Sequence, residues 1–275
     1  MIKLIASDLD DTLLDQNSQL SAENIRAIRE VLAQGYIFTL ATGRMFQSAA
    51  PFARQLGLPV DQPIICYNGA LIKRLSGEII YEKPLPSELA AAIADYGQKK
   101  GWTINAYYQD ELYVPVRNRH VEDYMQEAKV EALVVGDLVS FIQDGNKSLS
   151  KLLVIGPPQE MPGRNAELNS LFGSQVKLVS SRDKYIEVTS PTAHKGEALV
   201  WLANQLGVQA SEVMAIGDGN NDLTMIEMVG FGVAVANAAP KVKENARYHT
   251  SANYENGVAK ILSELVLQHN NQGRW

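Results

Sequence analysis

Ile2-Lys3-Leu4-Ile5-Ala6-Ser7-Asp8-Leu9-Asp10-Asp11-Thr12 decides how the rest of the chain is read. Residues 2–7 are a short run rich in Ile and Leu that ends in acidic turn formers, the pattern of a central strand. Downstream, Ser21-Ala22-Glu23-Asn24 offers a serine cap, and Ile25, Ile28, Val31 and Leu32 recur at helical spacing until Gly35. Residues 36–41 read as a second buried strand leading into Thr42-Gly43-Arg44, and residues 45–56 as a second helix closed by Gly57 and Pro59. An opening of strand, helix, strand, helix predicts a parallel sheet with right-handed crossovers.

A third strand, 63–67, runs into Asn68-Gly69, and residues 70–73 with 78–81 around Ser76-Gly77 have the look of a hairpin. The alternation then lapses. Between 83 and 188 helices (87–100, 163–172) mix with short strands (152–155, 176–180, 185–188), and the strand-helix rhythm returns only at 195–206, 213–216, 221–228, 231–235 and 242–246. The economical reading is an α/β fold: a Rossmann-like, doubly wound parallel sheet built from residues 1–82 and 189–275, interrupted by an α+β cap domain of about a hundred residues, 83–188. The tail 269–275 is polar apart from Trp275 and is expected to fray.

With 275 residues, 46% hydrophobic and 20% charged, the chain can bury a substantial core. A net charge of -6 with no run of Lys or Arg argues against a nucleic-acid polymer as partner. Cys66 is the only cysteine, so neither an intramolecular disulfide nor a thiolate zinc site can form, and a small buried apolar role suits it. Lys3, Asp8, Asp10 and Asp11 interrupt any signal-peptide core, and no apolar run approaches the roughly 20 residues a bilayer span needs, so a cytoplasmic, membrane-free protein is expected.

Three chemistry-bearing segments follow strands, so they should emerge together at the carboxyl edge of one sheet, where such folds bind ligands. Acidic residues after a strand also serve as turn formers and caps. However, Asp8 and Asp10 are two apart, and side-chain alternation can direct both at one ligand, which is costly unless a metal or a shared proton offsets the repulsion. In Gly217-Asp218-Gly219-Asn220-Asn221-Asp222, glycines permit a tight turn, and oxygen-bearing side chains without His or Cys suit Mg²⁺. The competing reading is an Asx-rich loop capping a helix at Asp222. Thr42-Gly43-Arg44 is either a polar turn or a phosphate seat at a helix N-terminus. Lys195, heading a helix, is by itself no more than a surface lysine, and His120, His194, His249 and His269 show no metal or triad spacing.

In this order the residues resemble the haloacid dehalogenase superfamily of phosphohydrolases, in particular its Cof-like branch with an α/β cap between the second and third motifs. Asp8-Leu9-Asp10-Asp11-Thr12-Leu13 is similar to the nucleophile loop, Thr42-Gly43-Arg44 to the second motif, Lys195-Gly196 to the third, and Gly217-Asp218 through Asp222 to the fourth. Tyr67-Asn68-Gly69-Ala70 looks like that branch's segment before the cap. The likeness implies Asp8 as nucleophile forming an aspartyl-phosphate, and Asp10 as general acid and then base. It also implies Mg²⁺ held by Asp8, the Asp10 carbonyl and Asp218, with Asp222 orienting a water of the metal or Lys195. Phosphate would be gripped by Thr42, the amides of Leu9 and Gly43, Asn221 and Lys195, while Arg44 and Asn68 are candidate substrate contacts. One departure is Asp11, where the branch commonly has glycine. The implied activity is hydrolysis of a small phosphorylated metabolite of sugar phosphate, pyridoxal phosphate, flavin mononucleotide or nucleotide type. A phosphomutase or phosphotransferase with the same loops, and a non-catalytic phosphate sensor, stay open.

Overall fold

The computed structural model describes residues 1–268. The chain divides into two compact units, one built from Met1–Tyr81 together with the chain from His194 onward, the other from Glu82–Ala193. The tail from His269, expected to fray, lies outside the described residues.

The first unit opens with β1 (Leu4–Ser7), α1 (Ala22–Ala33), β2 (Ile37–Leu40), α2 (Phe46–Leu56), β3 (Pro63–Cys66), β4 (Leu71–Arg74) and β5 (Ile79–Glu82). Ser21 caps α1 as expected, its hydroxyl accepting the amide of Asn24 at 3.1 Å. The third strand is one residue shorter than its apolar run predicts, because Tyr67 turns left-handed with φ 51° and leaves the ladder.

The second unit contains α3 (Ser87–Lys99), β6 (Thr103–Tyr108), β7 (Glu111–Val114), α4 (Arg119–Ala128), β8 (Ala132–Val134), α5 (Leu138–Gln143), β9 (Lys151–Ile155), α6 (Met161–Phe172), β10 (Lys177–Arg182) and β11 (Tyr185–Thr189). Its six strands lie in the order β10-β11-β9-β6-β7-β8. Ile104, Ala106, Leu152, Val154, Ile186 and Val188, at alternate positions of β6, β9 and β11, pack with Ala90, Ile93, Ala94, Ile142 and Leu168 from the helices.

The chain returns to the first unit through α7 (Lys195–Gln205), β12 (Val213–Gly217), α8 (Leu223–Glu227), β13 (Phe231–Ala234), α9 (Pro240–Asn245), β14 (Tyr248–His249) and α10 (Gly257–Leu262). One sheet runs β14-β13-β12-β1-β2, parallel throughout. β3 continues it beyond β2 through a parallel bridge between Ala41 and Ile65. Strands β1 and β12 are buried along their whole length, which is why they read as unbroken apolar runs. Each fully buried Leu or Ile in them contributes roughly 1.5–3 kcal/mol over exposure. From β1 the chain builds outward on one side through β2 and β3, then resumes on the other side with β12. The order therefore reverses between β1 and β12, and the crevice at their carboxyl ends is the site such sheets use for ligands.

Candidate functional site

Asp8 follows β1 and Asp218 follows β12, so both stand at that reversal point. Lys195, the first residue of α7, is fully buried and reaches both sides of it: its Nζ donates to Asp8 Oδ1 at 2.7 Å and to Asp222 Oδ1 at 2.6 Å. The other oxygen of Asp222 accepts the amides of Asp218 and Gly219, each at 3.0 Å. This folds the loop back on itself, and α8 starts at Leu223 rather than at Asn221 as its pattern predicts. Gly217 makes the fold-back possible, since a Cβ there would lie 2.6 Å from that of Asp222. Thr12, present in the nucleophile-like loop but given no role by its sequence, donates its hydroxyl to Asp218 Oδ1 at 2.7 Å. The only hint of it was a hydroxyl two residues from Asp10.

Ligand oxygens of Asp8, Asp218 and Asp222 lie within 4.8 Å of one another. Both Asp222 oxygens are already engaged, whereas Asp8 Oδ2 and Asp218 Oδ2 accept no hydrogen bond among the described residues. An all-oxygen donor set with open lone pairs and no imidazole or thiolate fits a hard divalent cation. Burial pushes the Asp8 carboxyl well above its usual value; Lys195 opposes this, and Asp222, Asp218 and Asp10 add to it. Burial and Asp222 likewise push Asp218 up to about 7 against the Thr12 hydrogen bond and Lys195, with Asp11 adding to the rise. Burial alone would pull Lys195 down, yet Asp222 and Asp8 outweigh it and hold the ammonium above its ordinary value.

Asp10 lies outside this trio of carboxylates. β1 ends at Ser7, so strand alternation no longer governs its direction, and its carboxylate is forked by Arg44, with Nε at 2.8 Å and Nη2 at 2.5 Å. The guanidinium also lies 5.1 Å from the centroid of the Phe52 ring. Asp11 takes a left-handed φ of 57°, a conformation Asp tolerates, and its carbonyl accepts Asn237 Nδ2 at 2.7 Å. Thr42 is buried beside β3, with its amide on the Ile65 carbonyl and its hydroxyl accepting the Arg44 amide at 3.1 Å. The amides of Leu9 and Gly43 donate to no protein acceptor among the described residues, which leaves them for an anion. Asn221 Nδ2 donates to Asn68 Oδ1 at 3.0 Å. All the residues singled out in the sequence thus lie in the first unit.

The model of haloacid dehalogenase-like hydrolases matches residues 5–262. The chain belongs to that family. Within it, this haloacid dehalogenase-like hydrolase is a Cof-like phosphatase. It is 31% identical over 275 residues to the putative phosphatase YxeH of Bacillus subtilis, covering 97% of this chain and 99% of that one. It is 32% identical to 5-amino-6-(5-phospho-D-ribitylamino)uracil phosphatase YwtE of the same organism, over 96% of this chain and 98% of the other. A haloacid dehalogenase-like hydrolase from Bacteroides thetaiotaomicron superposes with a TM-score of 0.88 at 29% identity, covering 96% of this chain and all of its own (100%). Among the described residues, no helix is long and apolar enough to cross a membrane.

Proposed function

We propose that this hydrolase cleaves small phosphate monoesters by way of a phosphorylated Asp8, with Mg²⁺ held by Asp8, Asp218 and the Asp10 carbonyl. The observation that carries the reading is the Lys195 ammonium on Asp8 Oδ1, which orients the carboxylate while Oδ2 keeps its lone pairs. When bound, the cation supplies positive charge that lets an anionic nucleophile meet an anionic ester.

In the first step Asp8 Oδ2 forms a bond to phosphorus as the bond to the ester oxygen breaks, and the departing alkoxide takes a proton from Asp10. In the second, water gives a proton to Asp10 while its oxygen bonds to phosphorus, and the bond to Asp8 breaks to release phosphate. Negative charge on the transferred group is met by the Thr42 hydroxyl, the Leu9 and Gly43 amides, Asn221 and Lys195, groups set in place before reaction. Choice of ester is assigned to the inserted unit, Glu82–Ala193, which carries none of these groups. YwtE is named for a phosphorylated ribitylaminouracil, which supports small phosphorylated metabolites as the substrate class.

The test separates the two carboxylates. Asp8→Asn should form neither product nor phosphoenzyme. With p-nitrophenyl phosphate, whose leaving group needs no proton, Asp10→Asn should still phosphorylate Asp8 and accumulate a hydroxylamine-sensitive phosphoenzyme. Rapid-quench mass spectrometry that found phosphate on Asp10, or turnover by Asp8→Asn, would overturn the mechanism. Accumulation of an isomeric phosphate ester in place of free phosphate would indicate a mutase.

A further inference from the structure

Three successive residues after β3 are left-handed: Tyr67 (φ 51°), Asn68 (φ 55°) and Gly69 (φ 96°). Glycine adopts this conformation freely and Asn more readily than most, whereas Tyr is disfavoured there. All three are buried, and such a run persists only where its surroundings over-determine it. Here the surroundings are the site's own loops. The amides of Tyr67 and Asn68 donate to the carbonyls of Arg44 and Thr42, both at 3.0 Å, so the turn is laced to the loop that carries Thr42 and Gly43. A Cβ on Gly43 would lie 3.1 Å from the Asn68 amide, and one on Gly69 would lie 2.3 Å from the His194 carbonyl, directly ahead of Lys195. From this seat Asn68 Oδ1 accepts Asn221 Nδ2 at 3.0 Å.

From this arrangement we infer that Asn68 is a positioning residue: it acts through Asn221, holding that amide against the Thr42–Gly43 loop, rather than by touching substrate. The argument rests on Asn221 being a phosphate-gripping group. Asn221 stands on a loop and is part-exposed, so its side chain would otherwise sample several rotamers; a fixed acceptor selects one and spares the ordering cost at binding. The left-handed backbone at 68 is what aims the acceptor, which is why Asn, tolerant of that conformation and able to accept a hydrogen bond, suits the position.

A double-mutant cycle on the full chain tests this, using Asn68→Gly, Asn221→Ala and the double variant. Glycine keeps the left-handed turn and removes only the amide, so folding, checked by thermal melting, should persist. The readouts are kcat for p-nitrophenyl phosphate and the competitive Ki of inorganic phosphate. Each single change should weaken phosphate roughly three- to tenfold, the range of one side-chain hydrogen bond, and the double should be no weaker than Asn221→Ala alone. Losses that multiply would show Asn68 contacting the ligand directly and overturn the inference. An unchanged Ki in Asn68→Gly would make the turn a plain connection, and an unchanged Ki in Asn221→Ala would remove the group it is said to act through. Because the coupling is read on phosphate affinity, its failure is distinguishable from failure of the phosphoenzyme experiment.

Discussion

Arg44 forks the Asp10 carboxylate, Nε at 2.8 Å from one oxygen and Nη2 at 2.5 Å from the other, so the proposed proton-transfer group is held by a planar, two-pronged partner. Lysine cannot reproduce that geometry. Arg44→Lys and Arg44→Met should lower kcat on alkyl phosphates by about tenfold, a fraction of the 10²–10⁴ that general acid–base catalysis supplies. On p-nitrophenyl phosphate, where no proton is needed by the leaving group, the loss in phosphoenzyme formation should be much smaller. Equal losses in burst-phase rate on both esters would show that Arg44 does not work through Asp10.

Lys195 stands between two buried carboxylates, Asp8 and Asp222. Removing one partner of such a group leaves uncompensated buried charge and costs about 3–5 kcal/mol. Lys195→Met should therefore lower Tm at pH 7 by roughly 10 °C as well as abolish activity. The deficit should shrink as pH falls, because burial already pushes the Asp8 carboxyl well above its usual value and a protonated Asp8 no longer needs the cation. A destabilisation that does not vary with pH would mean that lost packing, not charge, is responsible.

Asp218 titrates near 7 in the fold against about 3.9 in an unfolded chain, so between those values the fold holds a proton that the unfolded chain has lost. A raised carboxyl makes the metal-free fold less stable as pH climbs through this window, with the whole cost present above about 7. A divalent cation binds the ionised form, so the Tm gain from Mg²⁺ should be small at pH 5, large at pH 8 and abolished by EDTA. Asp218→Asn should melt higher than the wild type in EDTA at pH 8 and gain nothing from Mg²⁺. If the variant still gained from Mg²⁺, Asp218 would not be a ligand.

In the inserted unit, the Asn105 side chain is completely buried, and neither its Oδ1 nor its Nδ2 has a hydrogen-bond partner among the described residues. It lies in register with Leu153 on the neighbouring strand. An unmet buried amide costs about 1–3 kcal/mol, so Asn105→Leu, which pairs leucine with leucine, should raise Tm by roughly 2–5 °C. A lower melting temperature would show that something beyond the protein's own groups satisfies this amide.

The alternation of apolar runs with capped helices was legible because central parallel strands bury both faces and so carry little but Leu, Ile, Val and Ala, as in β1 and β12. Acidic residues directly after two such runs marked the crevice, since strand ends in this kind of sheet face the same edge. The hairpin of β6 and β7, the edge strand β8 and the helices α4 and α5 went unassigned; β7, β8 and α5 span only 4, 3 and 6 residues, too few for a period to show.

What the sequence determined by itself is therefore the parallel sheet and the break in its strand-helix rhythm, both of which follow from local pattern. Partnership was decided by the tertiary structure alone. Thr12 meets Asp218 across 206 residues, Asn68 meets Asn221 across 153, and Lys195 meets Asp8 across 187, and no local period records such pairings. The left-handed Tyr67 is the plainest case: its own preferences oppose that conformation, and only the loops packed around the turn impose it.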